Sequence, residues 1–409
     1  MNLVDKYNHV YFTVRNNCVL CSTPLNDALI ELPDFPLTEI YIPFKNTIGT
    51  GYLDQEFHVC RHCGLGQLKY IIPAELLYSD EYVTRTSSSA SAKTAIECFT
   101  GFVNHHLPDR TLESIFDIGS NDGYLIRQFS KRSTHLYGND PVIRSGKEDV
   151  NGSTLTQIGD FFENIDFDMI ENQIECFLCS HTLEHISDPK LFLLKALNAG
   201  NEDTLYFFQF PGLEGMIRDA HFDQIFHQHY NYFSLRSIQY LLTELGGDLI
   251  DSQINPYHWN SLMIAFKKKQ SAGINRKYTH ENNNLLKESY ILDQYALFKQ
   301  SMEITSNRLR CLEQEPIFGY GAALMLPVLD YHLRNGLSCL EAIIDDDPSK
   351  IGKYYLNVPV KIIRSKMANN LESAAVILTA INSSEAVRKI IPKMIELNFK
   401  HIIIPLNLI

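Results

Sequence analysis

The stretch SIFDIGSNDGYLI at residues 114–126 constrains the fold of this chain more than any other. An apolar run ending in an acidic residue, a loop with two glycines and an amphipathic segment give strand, turn and helix in that order, the opening unit of a doubly wound α/β sheet. Its strand, Ser114–Ile118, and further apolar runs at His135–Tyr137, Cys176–Cys179 and Thr204–Phe208, separated by helix-length stretches, make a parallel sheet that closes near Ser261–Phe266.

A chain of 409 residues is too long for one hydrophobic core. Residues 1–72 read as a small metal-binding module, 73–275 as the α/β domain with a helical lead-in, and 276–409 as a second Rossmann-like α/β domain. The lead-in comprises AELLYSDEYV and SSSASAKTAIECFTGFVNHHL, the latter opened by a serine cluster able to cap a helix. The polar run 267–284 reads as a linker or surface turn, followed by a long helix at about Leu285 to Leu312. IFGYGAA, EAIIDDD, PVKII, AAVILTA and HIIIPL then repeat the strand alternation.

Composition excludes several classes. With 45% hydrophobic and 21% charged residues the chain can build a core, and a net charge of −12 without a long basic run argues against a nucleic-acid surface. Lys267, Lys268 and Lys269 form a local patch that reads as solvated linker. No apolar run approaches the roughly 20 residues that cross a bilayer, and the N-terminus lacks the order of a signal peptide, so a cytoplasmic location is expected.

Two CxxC pairs, Cys18/Cys21 and Cys60/Cys63, are separated by 38 residues. Each pair can turn two sulfurs toward one point, so four thiolates suit one tetrahedral Zn²⁺ with no open position, a structural ion. Gly64 fits the turn that follows the second pair. Cys176 and Cys179 share the spacing but lie in an apolar strand candidate, where cysteine serves as a small core residue.

The glycines of the 114–126 loop fall at Gly119 and Gly123, giving GxxxG rather than the GxGxxG that cradles a pyrophosphate. A sulfonium nucleoside carries no phosphate, so the loop suits S-adenosylmethionine. Asp117 is placed for its ammonium end, and Gly119 allows close backbone approach. Ser120, Asn121 and Tyr124 complete the loop, while Ser180 and His181 end a later strand at the same edge. Asp140, followed by Pro141, stands where an acidic side chain accepts ribose hydroxyls, and Asp160 with Phe161 where adenine would lie; for Asp160 a helix cap is an equal alternative.

Histidines concentrate in SHTLEH (180–185) and around DQIFHQHYNYFS (223–234), where His221, two residues before it, His227 and His229 fall within nine residues. Imidazole titrates near working pH and suits proton abstraction. A second metal site is the rival explanation, but no carboxylate stands at ligand spacing within that segment.

Four motifs in order resemble the nucleotide-sugar C-methyltransferase family: CxxC…CxxCGLGQL, FDIGSNDGYLIRQF, FHQHYNYFS, and YGAALMLPVLDYHL with IIDDDPSKIGKYYLNVPVKI. The resemblance covers almost the whole chain. It implies a zinc module, a central methyltransferase domain, a C-terminal domain that binds substrate, and methylation of the carbon beside a keto group on a nucleotide-linked deoxysugar. It further implies His229 as the base with His227 beside it, His185 against sugar or enolate, and Tyr82 and Gln228 at the active site, in a monomer or weak homodimer. The chain departs from the family's pattern with Gln228 for Glu, Phe226 for Tyr, His181 for Asn, Trp259 and Asn260 for a glycine pair, and Leu324 and Met325 within the C-terminal glycine motif. Other readings stay open: an O- or N-directed methyltransferase, a cofactor-binding protein without turnover, and a nicotinamide-dependent oxidoreductase using the GYGAA turn.

Overall fold

The computed structural model describes residue 7 and residues 10–46, 49–77, 85–88, 90–269, 284–312, 314–380 and 384–405. Three antiparallel strands, β1 (Ile30–Pro36), β2 (Tyr52–Val59) and β3 (Gly66–Leu68), form the N-terminal module. Its sheet is completed by a two-residue strand from the central domain, Asn231–Tyr232, paired with Gly66 and Gln67. The module is therefore bonded directly to the backbone that follows His229.

Eight strands form the central sheet: β4 (Leu112–Ile118), β5 (Ser133–Asn139), β6 (Gly146–Val150), β7 (Ser153–Ile158), β8 (Cys176–Ser180), β9 (Leu205–Phe210), β10 (Gly247–Asn255) and β11 (Ser261–Lys268). Their spatial order is β10-β11-β9-β8-β4-β5-β7-β6. β4, β5, β7, β8 and β9 run parallel, whereas β11 is antiparallel to both β9 and β10. From β4 the chain builds outward to one side and then, through β8, to the other. The carboxyl ends of β4 and β8 thus flank the switch point where open α/β sheets bind ligands.

Residues alternate between the two faces, as the pleat requires. Phe116, Phe177, Cys179 and Phe208 pack on one side, while Ile115, Cys176, Leu178 and Phe207 pack on the other against Phe99 and Val103 of helix α1 (Ala90–His106). Cys176 and Cys179 are fully buried in different cores, as expected of packing cysteines.

The sequence suggested a helix-length connection between β5 and the next parallel strand. A hairpin is found instead, β6 pairing antiparallel with β7 across Asn151 and Gly152, both left-handed at φ 54° and 90°. Asn-Gly is the residue pair that such a turn favours. The helix after the glycine loop is also shorter than its amphipathic pattern suggested, a single turn, α2 (Tyr124–Arg127).

Helices α3 (Pro189–Ala199), α4 (Leu213–Arg218) and α5 (Leu235–Leu245) follow. Ser234 and Ser237 fix the start of α5 by a reciprocal capping box, and left-handed Gly246 ends it. The long helix α6 (Glu288–Cys311) leads to five parallel strands, β12 (Ile317–Tyr320), β13 (Ala342–Ile344), β14 (Ile362–Ile363), β15 (Ala375–Leu378) and β16 (His401–Ile403), in order β14-β13-β12-β15-β16. One core joins Phe35 and Phe57 of the module, Leu213 to Tyr232 of the central domain, and Phe298 and Phe318 of the C-terminal region. The histidine segment is clamped by all three.

Candidate active site

At the end of β4, Asp117 is 1% exposed and neither carboxylate oxygen has a protein partner. Burial, reinforced by the nearby Asp140, pushes its pKa well above the ordinary carboxylate range. A buried carboxylate without a donor is costly, and the cost is offset when a cationic or hydrogen-bonding ligand arrives. The following turn is built for backbone approach. Gly119 has φ 70°, and a Cβ there would stand 2.1 Å from the Thr182 hydroxyl oxygen. Asn121 and Gly123 are also left-handed, at φ 48° and 74°.

Asp140, at the end of β5, holds this turn as well as facing the crevice. One oxygen accepts the Asn121 N–H at 2.9 Å and the other the Val142 N–H at 3.0 Å, leaving acceptor capacity on each. Asp160 precedes the turn at Phe162–Asn164, which has no side-chain cap, and one of its oxygens takes the Phe161 N–H and the Asn164 side-chain amide, both at 2.7 Å. Phe161 is half-buried, Phe162 lies in the core, and Pro141 is exposed. Tyr124 opens α2, its ring 5.5 Å from the Lys93 ammonium. The lead-in returns to the loop, with Thr86 N–H donating to Asn121 at 3.1 Å and Ser87 N–H to Asp122 at 2.9 Å.

From the end of β8, residues 180–185 bridge this loop to the histidines. The Ser180 hydroxyl accepts from Gln209 at 2.7 Å, and the Thr182 hydroxyl donates to the Ile118 carbonyl at 3.3 Å. His181 is left-handed (φ 55°), and its Nδ1–H donates to Glu184 at 3.1 Å while Nε2 faces His258 Nδ1 at 3.1 Å and Ser261 Oγ at 3.2 Å. Burial pushes its pKa down to about 4. His185 Nδ1–H donates to the Gln228 carbonyl at 2.8 Å, which leaves Nε2 with its lone pair.

His229 is 2% exposed, and its Nδ1 is buried with no protein partner. Its ring stands between Phe226, His185 and Trp259, at centroid distances of 4.1, 4.8 and 5.6 Å. Burial, with His185, His181 and His258 nearby, holds its pKa well below the usual imidazole value, so the ring is a neutral acceptor.

His185 and His229 are brought together; His227 is not part of that group. A turn closed by His229 N–H on the Phe226 carbonyl at 3.0 Å aims His227 into the module. There its Nε2–H donates to the Phe35 carbonyl at 3.1 Å and its Nδ1 accepts from Gln55 at 3.2 Å, so both nitrogens hold structure. His221 pairs with Asp223 at 3.2 Å. The Gln228 residue is buried beside His185, and Tyr82 lies outside the described residues.

Two residues escaped the sequence reading, Glu184 and His258. Glu184, from outside the 223–234 segment, places a carboxylate oxygen within 4.8 Å of ring nitrogens of both His185 and His229. His258 arrives from the β10–β11 connection. Trp259 and Asn260 there are left-handed, at φ 50° and 47°, which accounts for glycines being common at these positions in the resembling family, and the Trp259 indole N–H is buried without a partner.

The four cysteine sulfurs lie within 4.8 Å of one another, with Cys18–Cys63 and Cys21–Cys60 at 3.5 Å. Tetrahedral Zn–S bonds of about 2.3 Å put sulfurs roughly 3.8 Å apart, so the set fits a zinc ion. The two turns repeat one pattern. Ser22 N–H and Gly64 N–H bond back to the carbonyls of Cys18 and Cys60, and both residues are left-handed, at φ 57° and 81°.

The C-terminal glycine turn is filled by its own chain. A Cβ on Gly321 would lie 2.3 Å from that of Ala380, Ala322 N–H donates to Asp345 at 2.5 Å, and Tyr41 and Lys350 both donate to the Ala322 carbonyl.

The parallel sheet with its switch-point loop, and the match of residues 97–251 to the methyltransferase domain family, make the central domain that of an S-adenosylmethionine-dependent methyltransferase. More particularly, the chain is related to a C-methyltransferase: it is 24% identical over 216 residues to the C-methyltransferase NovU of Streptomyces niveus, a match covering 50% of this chain and 49% of that one. The chain thus spans about half the length of the curated relative it matches. Similar solved structures include the Burkholderia thailandensis 1,6-didemethyltoxoflavin-N1-methyltransferase with S-adenosylhomocysteine (13% identity, TM-score 0.33, 45% of this chain and 80% of that one). Another is an S-adenosylmethionine-dependent methyltransferase from Clostridium acetobutylicum (10% identity, TM-score 0.33, 45% and 94%). Among the described residues no helix is long and apolar enough to cross a membrane.

Proposed function

We propose that this chain transfers the methyl group of S-adenosylmethionine to the carbon beside the ketone of a nucleotide-linked 4-keto-deoxysugar, with His229 as the base. One observation carries the reading: residues 180–185 connect an unpartnered buried carboxylate at Asp117 to an unpartnered buried imidazole nitrogen at His229.

The donor supplies an electrophilic methyl on a positively charged sulfur. Asp117 answers its ammonium group, directly or through water, and Asp140 offers its remaining lone pairs to the ribose hydroxyls. Asp160 and Phe161 border the adenine. A ketone acidifies the neighbouring C–H, and His229, kept neutral by burial, takes that proton onto a ring nitrogen. The C–H electron pair becomes the enolate, whose carbon bonds to the methyl as the methyl–sulfur bond breaks and S-adenosylhomocysteine leaves with that electron pair, and a fixed arrangement of the two reactants supplies much of the rate. His185, fixed by the Gln228 carbonyl, turns Nε2 toward the same space as a sugar contact. By motif position Gln228 and Tyr82 belong to this site, and His227 positions His229 from behind. The four cysteines hold a structural Zn²⁺, and residues 276–409 form the substrate-binding region.

The filled Gly321 turn counts against a nicotinamide site there. Calorimetry with S-adenosylhomocysteine and separately with NADH, followed by a mass-spectrometric screen of nucleotide-linked 4-keto sugars with S-adenosylmethionine, tests the proposal. Heat with the homocysteine analogue and a methyl mass gain on one sugar are expected. Heat with NADH alone overturns it.

A further inference from the structure

Glu184 is 1% exposed, on the helical turn Leu183–His185. Its Oε1 accepts the His181 Nδ1–H at 3.1 Å and lies 4.0 Å from His185 Nε2, while Oε2 is buried without a partner. His229 approaches from the 226–229 turn, and His258 reaches the far nitrogen of His181 from the β10–β11 connection. One carboxyl group therefore lies beside three imidazoles, with His258 joined to it through His181, the four rings carried by three separate elements. The Cys179 thiol of β8 stands on its strand side, and among the described residues no lysine or arginine forms an ion pair with it.

A base that accepts a proton inside a buried pocket becomes a cation, and that charge needs a partner. Gln228 carries none. We propose that Glu184 is the positioning residue that supplies this charge: ionised, it holds His181 and His185 in place and stabilises the imidazolium formed when a neighbouring ring takes a substrate proton. This rests on the reading of His229 as base. As the C–H bond breaks, its electron pair stays on the substrate carbon and the proton bonds to the ring nitrogen. The cluster gains one positive charge against one carboxylate. The same proton returns to solvent after the methyl is transferred, so Glu184 is unchanged over the cycle.

The titration of the group agrees with this arrangement. Burial raises Glu184 to about 7, opposed by His185, while burial lowers the rings of His181, His185, His229 and His258. Near neutrality the carboxyl therefore changes charge among rings that stay neutral, and the rings bonded to it sense that change.

The test uses full-length protein labelled with ¹⁵N-histidine and saturated with S-adenosylhomocysteine, its ring nitrogens followed by NMR from about pH 5 to about pH 9. A common step near neutrality at His181 and His185 is expected. Glu184→Gln should abolish it with the fold intact, and Glu184→Asp should keep it at a shifted midpoint. Where a sugar substrate has been found, Glu184→Gln should lower kcat about 100-fold, with KM for the donor unchanged and the neutral limb of the pH profile gone. Ring titrations identical in wild type and Glu184→Gln overturn the proposal. So does a second metal ion per chain that disappears with Glu184→Gln, since the carboxylate would then be a ligand. Failure of every sugar to react would count against the proposed function, and the NMR result would still decide the role of Glu184.

Discussion

The imidazoles of His185 and His229 meet edge to face, their centroids 4.8 Å apart and their planes at 70°. His185 is tied to the backbone at Gln228, while the Nδ1 of His229 is left without a partner. The first ring is fixed and the second retains a free nitrogen, which is the division of labour expected of a sugar contact and a base.

His229→Ala should therefore remove methyl transfer, by at least about 100-fold in kcat, the usual contribution of a general base. Affinity for S-adenosylhomocysteine should change less than about twofold, because among the described residues no hydrogen bond or ring contact joins His229 to the loop at 117–123. His227→Ala should instead lower unfolding free energy by about 2–4 kcal/mol, through two lost buried hydrogen bonds and a cavity. Initial rates, calorimetry and urea unfolding of the two variants separate the roles. Retention of most of the rate in His229→Ala rejects it as base.

Gly119→Ala should weaken S-adenosylhomocysteine binding at least about tenfold. A Cβ meets the Thr182 hydroxyl oxygen at 2.1 Å and sits on a left-handed backbone, which alone costs about 1–2 kcal/mol. Gly146→Ala, with open space around the position, is the control and should bind as wild type. Calorimetry on both variants measures the difference.

Freshly purified protein should contain about one zinc per chain. Removing it by Cys63→Ser should reach the active site, because β3 pairs with Asn231–Tyr232 and Ser234 Oγ–H donates to the Gly64 carbonyl at 2.9 Å. Lower melting temperature and lower methyl transfer are expected together. Metal analysis finding no zinc contradicts the module's assignment.

Glu184 also makes a signed stability prediction. Its folded pKa of about 7 exceeds the ordinary 4.5, so unfolding releases its proton between those values, and wild type loses stability as pH rises through that window. The full penalty, for a group so buried, is about 3 kcal/mol above neutrality. Glu184→Gln carries no charge and escapes it. Its advantage in urea unfolding should be near zero at about pH 4.5 and grow to its maximum above about pH 7. A constant difference across pH refutes the assignment.

What the sequence disclosed was local. The glycine loop, Asp117, Asp140 and both CxxC pairs announce themselves because turn geometry and ligand spacing are properties of a few neighbouring residues. Asn151-Gly152 carried an equally local signal for the hairpin of β6 and β7 that the count of helix-length stretches overrode. Glu184 and His258 were hidden for another reason: tertiary packing brings them to the histidines from two separate connections. The motif could not show that His227 and His229 diverge, since a turn at Phe226–His229, not an extended strand, sets their directions. The shared core that clamps this segment between module and C-terminal region was equally out of reach of periodicity.

The central claim is that the methyl group goes to carbon after a neighbouring proton is removed. The direct measurement is mass and ¹³C NMR analysis of the product from ¹³C-methyl S-adenosylmethionine and a nucleotide-linked 4-keto sugar deuterated beside the ketone. A label bonded to carbon, with loss of one deuterium from that carbon, is the predicted result. A label on oxygen or nitrogen, with every deuterium retained, would contradict it.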